Sequence, residues 1–557
     1  MIDEPLSVFD CPLQGTRLVE ASAGTGKTWN ITGLYLRLLL EHDLGVDGIL
    51  VVTFTKAATA ELRDRIRQRV VAVRDRLRDP AATTADPFVD GLLAALRARA
   101  AVDESSLLRR LDLAIESFDE AAIYTIHGFC QRALADVPLS ARMPLEVEQA
   151  DDSALLLEVA SDFWRRHVVA TSPDVPQAAQ AALGAWLAVR RDSPNGWAAN
   201  LRQRLRRPLS RLEWPPDVTN EGPGLATLAS DELGALFTAA RRLWTAERST
   251  IVRVVTDALP DLNANRYDPA KVAAASDAWD RLFAIGDPVP ADKEIDCLDR
   301  FSITKLEPKK NRPKPRAHPF FNLARSLLEA REHFRITAET QRLRLMREFL
   351  GQAPAILARL KRERHQIAFD DMLWNLHERL ASDDGRLARR LRERFPAALI
   401  DEFQDTDPLQ YAIFDRIYGP SDSPLFFVGD PKQAIYGFRG ADLPTYLAAR
   451  DRAIARYSLD TNQRSTAPLL TALNALYNRN QRSFILDGLD YRPVTVGTRP
   501  RPPFVDAPPP HRSAPDGWPP RSPLLWCQRP EAAAAPMRKQ AAAEAAARAC
   551  AAEIVRL

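Results

Sequence analysis

The stretch LVEASAGTGKT, from Leu18 to Thr28, joins a short apolar run to a glycine-rich turn, and a helical pattern follows it from Lys27 to Leu40. Strand, turn and helix in this order are the context of a P-loop, whose pattern is G-x-x-x-x-G-K-[ST]. Ala21 occupies the first position of that pattern, where glycine is usual. The stretch therefore predicts an α/β fold with a nucleotide-binding turn.

Each residue of this turn has a predicted part in binding ATP. Gly24 and Gly26 let the backbone bend so that successive N–H groups face phosphate oxygens, and the helix N-terminus adds a favourable dipole. Lys27 is expected to reach the β- and γ-phosphates, and the Thr28 hydroxyl is expected to ligate Mg²⁺. The predicted ATP contacts are Ala21, Ser22, Ala23, Gly24, Thr25, Gly26, Lys27 and Thr28.

Four more short apolar runs, bounded by polar or turn residues, predict further buried strands. Helical patterns follow several of them, as from Ala57 to Leu77, so β-α units of a parallel sheet are expected. The expected class is α/β, a parallel P-loop sheet flanked by helices. The four runs are Ile49 to Thr53, Ile123 to Ile126, Ala397 to Ile400 and Leu425 to Val428.

Two carboxylates follow the run that ends at Ile400. Asp401 can hold Mg²⁺, directly or through water, and Glu402 can take a proton from the attacking water. A carboxylate pair at the end of a buried strand favours a functional role over surface charge, because burying charge without a partner is costly. Gln433, which follows the run that ends at Val428, is a candidate to position water or sense the γ-phosphate.

The strand signal fades between about 136 and 360, where Ala, Leu, Arg and Trp recur at helical spacing, as from Ser153 to His167 and from Ala317 to Leu350. We expect a helical insertion there. Its basic segment, Lys309 to His318, is interpreted as a solvated loop in preference to a DNA-backbone contact. From Pro493 to Pro523, 11 of 31 residues are proline, which predicts a linker or long loop.

The composition excludes several classes of protein. Apolar residues make up 46% and charged residues 27% of 557 residues, which is ordinary globular usage. No apolar run approaches the ~18 residues of a membrane span, and the amino terminus is acidic where a secretory signal would be basic. A net charge of +3 means that any polyanion site must be local. Five scattered cysteines without C-x-x-C fit a reducing compartment, so a cytoplasmic location is expected.

Seven motifs, taken in chain order, resemble those of the UvrD/Rep-type superfamily 1 DNA helicases. Within that group, the spellings LVEASAGTGKT, TIHGFCQR and GDPKQAIYGFRGAD are most similar to the RecB family, the beta subunits of exodeoxyribonuclease V. The similarity runs from Gln14 to about Ser465. The motifs are ASAGTGKT (21–28), VTFTKAA (52–58), YTIHGFC (124–130), FDDML (369–373), IDEFQDTD (400–407), GDPKQAIYGFRGAD (429–442) and LDTNQRS (459–465).

This resemblance implies a motor of two RecA-like domains, with ATP and Mg²⁺ in the cleft between them, that moves 3′ to 5′ on single-stranded DNA. It also implies action on duplex ends in double-strand break repair and recombination, together with RecC-like and RecD-like partner subunits. Residues 1–135 with 360–455 are expected to form the first RecA-like domain and 136–359 a helical accessory insertion. Residues 456–557 are expected to begin an incomplete second RecA-like domain.

The resemblance carries residue roles as well. Glu402 would be the catalytic base, Gln433 the γ-phosphate sensor and Arg464 an arginine finger offered by the second domain. Gln14 matches a glutamine that reads adenine upstream of the P-loop. Gln463 stands where the family usually has an aromatic residue that stacks on adenine. The positions that match DNA contacts are Phe54, His127, Tyr436, Phe438 and Arg439.

Three functions remain open from the sequence. The leading one is an ATP-dependent DNA helicase motor segment; the second is a truncated module that binds ATP and single-stranded DNA without processive helicase activity. The third, a P-loop ATPase acting on protein or small molecules, is disfavoured by the aromatic positions around Phe54 and Tyr436. The later helicase motifs and the nuclease cluster of RecB-like chains are not found in the sequence, and the closing helical pattern stops at Leu557 without a stop signal. We therefore expect a fragment of a longer protein that has no nuclease activity by itself.

Overall fold

The chain divides into two compact units, residues 1–145 with 368–557, and residues 146–367. The helices that are described include none with the length and apolar character needed to cross a lipid bilayer. The computed structural model describes residues 4–79, 86–99, 103–135, 148–149, 151–170, 176–219, 225–229, 232–286, 295–306, 308–313, 315–437, 440–480, 483–484, 486–501 and 538–556.

The described strands are short, and all but β5 and β6 lie in the first unit. The strands in chain order are β1 (Glu4–Pro5), β2 (Thr16–Ala21), β3 (Ile49–Thr53), β4 (Ile123–Thr125), β5 (Glu148–Gln149), β6 (Gln366–Ile367), β7 (Ala397–Ile400), β8 (Leu425–Gly429), β9 (Ala455–Leu459), β10 (Thr461–Asn462) and β11 (Thr495–Val496). Seven of the described strands pair in the order β1-β9-β2-β8-β7-β3-β4, and every pairing in this sheet is parallel. Because parallel strands place their carboxyl ends at one edge, the segments that follow β2, β3, β4, β7 and β8 leave the sheet on the same side.

Helices cover the sheet and build the second unit. In the first unit the helices are α1 (Lys27–Glu41), α2 (Lys56–Arg78), α3 (Pro87–Ala98), α4 (Glu104–Glu116), α5 (Ile126–Ala135), α14 (Asp371–Ser382), α15 (Arg386–Arg394), α16 (Pro408–Tyr418), α17 (Leu443–Arg452), α18 (Ala467–Asn478) and α19 (Lys539–Arg556). In the second unit they are α6 (Ser153–Trp164), α7 (Gln177–Val189), α8 (Pro194–Arg206), α9 (Pro216–Thr219), α10 (Glu232–Asp257), α11 (Pro269–Ile285), α12 (Ile295–Leu298) and α13 (Pro319–Glu363).

The sheet is apolar on both faces because helices pack against each of them. Alternate residues of a strand point to opposite faces. Val19 of β2 and Phe426 of β8 belong to one buried cluster with apolar residues of α1 to α4. On the other face, the ring of Phe427 stacks on Phe403, with 4.1 Å between the ring centroids. The strand ends that carry polar residues are therefore held on a core that is closed on both sides.

The second unit has its own aromatic core. Trp279 of α11 is fully buried, and its Nε1 donates to the carbonyl of Leu298 at 3.1 Å. Its ring lies 5.1 Å from that of Phe320 and 6.1 Å from that of Trp244, measured between centroids. The chain enters and leaves the described part of this unit through β5 and β6, which pair with each other in parallel.

The described elements contain the predicted sheet and extend it. The α/β class is confirmed, and all five predicted strands are present. Ile126 begins α5 and does not end β4. Strand β9 was not predicted; it pairs with β2 and carries the sheet to Leu459, beyond position 455 where the first domain was expected to end. In the proline-rich segment, the described part includes the short strand β11, so that part is not wholly a loop.

We predict that Trp279→Ala destabilises the protein by about 3–5 kcal/mol, because it removes a fully buried ring and leaves a cavity. Urea unfolding followed by near-UV circular dichroism measures the change. The matched control is Ile285→Ala, at the end of the same helix, where the side chain is 67% exposed and the expected cost is within about 0.5 kcal/mol. Equal costs for the two variants would contradict the assignment of this core.

Candidate nucleotide and nucleic-acid site

The turn between β2 and α1 has the backbone shape that phosphate binding requires. Gly24 has φ +78° and Gly26 has φ +91°, both in the left-handed region that favours glycine. The Thr25 hydroxyl donates to the carbonyl of Ser22 at 2.7 Å, and Asn30 Nδ2 donates to the carbonyl of Gly26 at 3.0 Å. The turn is thus fixed by its own side chains, and its N–H groups lie at the amino end of a 15-residue helix.

Lys27 meets the first carboxylate that the sequence assigned to catalysis. Its Nζ lies 2.5 Å from Oε2 of Glu402, and the two side chains are 15% and 35% exposed. Glu402 follows β7, so the pairing of strands in the sheet brings together two residues that are 375 positions apart. Glu402 has φ +50°, an uncommon conformation for a residue with a side chain. Backbone strain of this kind is concentrated at functional sites, where the surrounding structure holds it.

Two more carboxyl groups lie in the same turn. Burial raises the pKa of Asp401 to about 6; the Glu402 carboxylate adds to this shift and the Lys27 ammonium opposes it. Burial and Glu402 also raise the pKa of Asp405 to about 6. One oxygen of Asp405, Oδ1, is buried without a hydrogen-bond partner among the described residues. The turn therefore holds more negative charge than Lys27 neutralises.

This surplus of negative charge fits the predicted Mg²⁺. Thr28 and Asp401 are the residues that would hold the ion, one at the start of α1 and one at the end of β7. The described residues contain no cluster of three or more His, Cys, Asp or Glu side chains arranged to bind a metal by themselves. Mg²⁺ does not need one, since it takes one or two carboxylates and completes its shell with water and phosphate oxygens. When bound, the ion would neutralise charge on the phosphates.

The turn after β8 places Gln433 beside an aspartate. Gln433 Nε2 donates to Oδ2 of Asp430 at 2.6 Å. Oδ1 of Asp430 lies 3.0 Å from Lys432 Nζ, which also donates to Oε1 of Glu20 at 2.8 Å. Burial lowers the pKa of Lys432, but Glu20 and Asp430 outweigh that effect, so the pKa is raised. Lys432 therefore stays charged and ties the turn of Gln433 to β2.

The segment that contains Arg464, the predicted arginine finger, is hydrogen-bonded to the phosphate turn. Asn462 Nδ2 donates to the carbonyl of Ala23 at 2.7 Å, and the backbone N–H of Gln463 donates to the carbonyl of Gly24 at 2.8 Å. A Cβ atom added to Gly24 would lie 2.8 Å from Cβ of Arg464. Gly24 is thus required by its φ angle and by this close approach. The Arg464 side chain is exposed to solvent and is not packed in the core.

Gln463 does not face the phosphate turn in the way an adenine-stacking ring would. Its Oε1 accepts from the backbone N–H of Arg499 at 3.2 Å, and its side chain lies against Gly497. Arg501 donates to the carbonyl of Asn462 at 2.6 Å. The segment around β11 therefore holds Gln463 and its neighbours in place.

Aromatic residues lie in pairs along the carboxyl edge of the sheet. The rings of Phe54 and Tyr436 are 5.2 Å apart between centroids, although the residues follow different strands. His127 stacks on Phe369 at 3.7 Å, and its Nε2 lies 3.9 Å from Oδ1 of Asp370. Phe369 is 48% exposed. Two of the predicted DNA contacts, Phe438 and Arg439, lie outside the described residues.

Gln14, the predicted adenine contact, does not lie at the phosphate turn. It precedes β2, whereas the turn follows β2, and six residues of strand span roughly 20 Å. Its carbonyl accepts from Nε of Arg17 at 2.9 Å. The fold therefore places Gln14 at the amino edge of the sheet, at the opposite end of β2 from the phosphate turn.

Sequence reasoning missed several residues that the geometry adds to the site. Glu20 gave the clearest signal, because a carboxylate inside a buried strand needs a charged partner. Lys432 gave a similar signal, since it follows another buried strand. Two more, Gln404 and Asp405, stood in a quoted motif without a role. The added residues are Glu20, Phe369, Gln404, Asp405, Asp430, Lys432 and Asn462.

Comparison with known proteins decides the family. Residues 3–453 match the family model described as UvrD/REP helicase N-terminal domain. The chain belongs to the UvrD/REP helicase family. The predicted resemblance is thereby confirmed, and the match covers the phosphate turn, the turn of Asp401 and Glu402, and the turn of Gln433.

Similar proteins place this UvrD/REP chain among RecB-like sequences. It is 36% identical over 510 residues to the RecBCD enzyme subunit RecB of Escherichia coli strain K12, a match that covers 88% of this chain and 40% of that protein. It is 33% identical over 532 residues to the same subunit of Haemophilus influenzae, covering 88% and 42%, and 27% identical over 479 residues to that of Mycolicibacterium smegmatis, covering 85% and 31%. The matched part of the chain thus spans about two fifths or less of these relatives.

We predict that Asp401→Asn stabilises the protein by roughly 2–3 kcal/mol at pH 7.5, since it removes a carboxylate whose ionised form is disfavoured in the fold. The folded pKa of about 6 lies above the unfolded value of about 4. Stability is therefore lost as pH rises from about 4 to about 6, and the gain in the variant should disappear below about pH 4. Urea unfolding at several pH values measures this difference. A gain that is constant with pH would contradict the assignment.

Proposed function

We propose that this chain is the ATP-dependent motor segment of a RecB-like helicase subunit, which moves 3′ to 5′ on single-stranded DNA. The single observation that supports this most strongly is the meeting of Lys27 with Glu402, 2.5 Å apart at the carboxyl edge of the sheet. Around this pair lie Asp401, the turn of Gln433 and the backbone of Arg464. This set contains a phosphate-binding cation, a base, a sensor and an arginine, which is what phosphoryl transfer to water requires.

Each residue has a proposed task in hydrolysis. Lys27 and the N–H groups of the turn would bind the phosphates, and Thr28 and Asp401 would hold Mg²⁺. Glu402 is paired with Lys27. When Lys27 turns to the phosphates, Glu402 would be released to accept a proton from the attacking water. Gln433 would contact the γ-phosphate, and Arg464 would spread the charge that develops on the phosphate oxygens.

The proposed motor has two RecA-like domains and an accessory domain. We take residues 1–135 with 360–459 as the first RecA-like domain, and 136–359 as an accessory domain. The segment beyond 459 would begin the second RecA-like domain, and its Arg464 would reach the nucleotide. The similar proteins are named as subunits of a RecBCD enzyme, which supports RecC-like and RecD-like partners for the whole protein. From the resemblance of the motifs, the whole protein would also work in the cytoplasm on DNA ends during break repair.

The aromatic pairs are the proposed platform for the DNA strand. Phe54 with Tyr436, and His127 with Phe369, offer flat rings at the edge of the sheet where the nucleotide site also lies. Stacking on bases does not depend on sequence, which a translocating motor requires. Because Tyr436 and Gln433 share one turn, a change in the nucleotide site can alter the grip on a base.

We predict that Lys27→Ala and Glu402→Gln each reduce ATP hydrolysis by at least about 100-fold, because one removes the phosphate-binding cation and the other removes the base. Turnover is measured by phosphate release, with and without single-stranded DNA, at saturating Mg²⁺. Glu402→Gln should retain ATP binding, whereas Lys27→Ala should weaken it.

The matched controls are Lys539→Ala in α19 and Glu116→Gln in α4, both exposed, and both should keep the wild-type rate. Unchanged turnover after Glu402→Gln would contradict the motor. A wild-type rate that single-stranded DNA does not stimulate would contradict it as well.

We predict that Phe54→Ala weakens binding of oligo-dT by about 1–3 kcal/mol, the worth of one stacked base. Fluorescence anisotropy over a range of salt concentrations measures the affinity. The salt slope should stay unchanged, since no phosphate-neutralising charge is removed. Leu113→Ala, at a side chain that is 65% exposed on α4, is the control and should bind as the wild type does. A change in slope without loss of affinity would contradict the stacking role.

A further inference from the structure

The side-chain amide of Gln404 both donates and accepts a hydrogen bond at the centre of the site. It is 2% exposed, so its amide must find partners inside the protein. Nε2 donates to Oε2 of Glu402 at 2.7 Å, and Oε1 accepts from the backbone N–H of Asp430 at 2.9 Å. A Cβ atom on Gly429 would lie 2.6 Å from Oε1, so glycine at that position makes room for the amide. The side chain thus bridges the turn after β7 and the turn after β8.

Beyond Asp430 the hydrogen bonds continue to the predicted sensor and to β2. The two oxygens of the Asp430 carboxylate are divided between Gln433 Nε2, at 2.6 Å, and Lys432 Nζ, at 3.0 Å. Lys432 is fixed in turn by Glu20, in the strand that leads into the phosphate turn. A continuous chain of polar contacts therefore runs from Lys27 through Glu402, Gln404 and Asp430 to Gln433.

The contacts of Glu402 show what Gln404 adds. Oε2 of Glu402 contacts both Lys27 and Gln404. Once Lys27 engages a phosphate, the amide of Gln404 is left to orient this oxygen. A carboxylate that loses both donors is free to rotate, and a displacement of about 1 Å at a reacting group can cost 100-fold in rate.

We propose that Gln404 is the positioning residue that holds Glu402 and the Gln433 turn in one fixed relation during ATP hydrolysis. This inference rests on the proposed function, since it assigns a positioning role within the same reaction. Gln404 itself touches neither substrate nor metal in this proposal. It acts through Glu402 on one side and through Asp430 on the other.

Two substitutions distinguish the effect of the amide donor, Nε2, from that of the amide acceptor, Oε1. Gln404→Met keeps length and burial but removes the donor and the acceptor. Gln404→Glu keeps an acceptor for the Asp430 N–H and, when ionised, has no donor for Glu402. The matched control is Gln410→Met, a change at another buried glutamine, in α16.

The experiment uses the 557-residue chain and measures kcat and KM for ATP at pH 8 with single-stranded DNA, melting temperature, and hydrogen exchange of the Asp430 amide. For Gln404→Met we expect kcat to fall roughly 10- to 100-fold with little change in KM, and the Asp430 amide to exchange faster. For Gln404→Glu we expect the same fall in kcat with protection of Asp430 retained. Gln410→Met should change neither kcat nor this exchange.

Different results overturn the inference and the proposed function. If the wild-type chain hydrolyses ATP and Gln404→Met keeps its kcat within about twofold, the positioning role is wrong. If kcat and melting temperature fall together in the Gln404 variants and in Gln410→Met alike, the amide is merely structural and the inference is also wrong. If the wild type hydrolyses no ATP, the proposed function fails; unchanged exchange of Asp430 in Gln404→Met would then reject the bridge on its own.

Discussion

The ion pair of Lys27 and Glu402 joins the two ends of the nucleotide site, and it exists because the sheet is parallel. The two residues follow strands that are separated by one other strand, β8, in the order of the sheet. Both strands present their carboxyl ends at the same edge, so a lysine and a glutamate 375 positions apart lie 2.5 Å from each other. A register error in either strand would separate them, which is why the closed apolar core beneath them matters for chemistry as well as for stability.

The charges around this pair are arranged at a cost to the unliganded fold. Asp401 and Asp405 have raised pKa values of about 6, and Glu402 adopts a left-handed backbone conformation. In contrast, Lys432 contacts both Glu20 and Asp430. The part around Lys27 thus has more carboxylates than Lys27 can pair, whereas both carboxylates of the adjacent part contact Lys432. Such a division suits a site whose ligand changes in each cycle while its frame does not.

Much of this architecture was predictable from the sequence because the deciding signals are local. An apolar run followed by a glycine turn and a helix identified β2 and α1, and the carboxylates after Ile400 could be placed by the same logic. Strand β9 escaped prediction because Ala455–Leu459 carries arginine, tyrosine and serine, so its burial depends on partners elsewhere in the chain. The predicted adenine contact of Gln14 stays a prediction, since it rests on resemblance alone and a whole strand separates this residue from the phosphate turn. The bridge through Gln404 could not be seen at all, since it depends on the distance between two turns.

The pairing of Glu148–Gln149 with Gln366–Ile367 brings the entry and exit of the second unit side by side. Adjacent strands lie about 4.8 Å apart, so the polypeptide on either side of more than two hundred residues begins and ends at almost one point. Such a stem makes the unit an exchangeable cassette. A gene encoding a different helical cassette could be spliced at this stem without stretching the chain that feeds β7, so lineages would be able to diversify this region while the ATPase frame is preserved. A tight hairpin could not replace the unit, because parallel strands need a longer crossover connection.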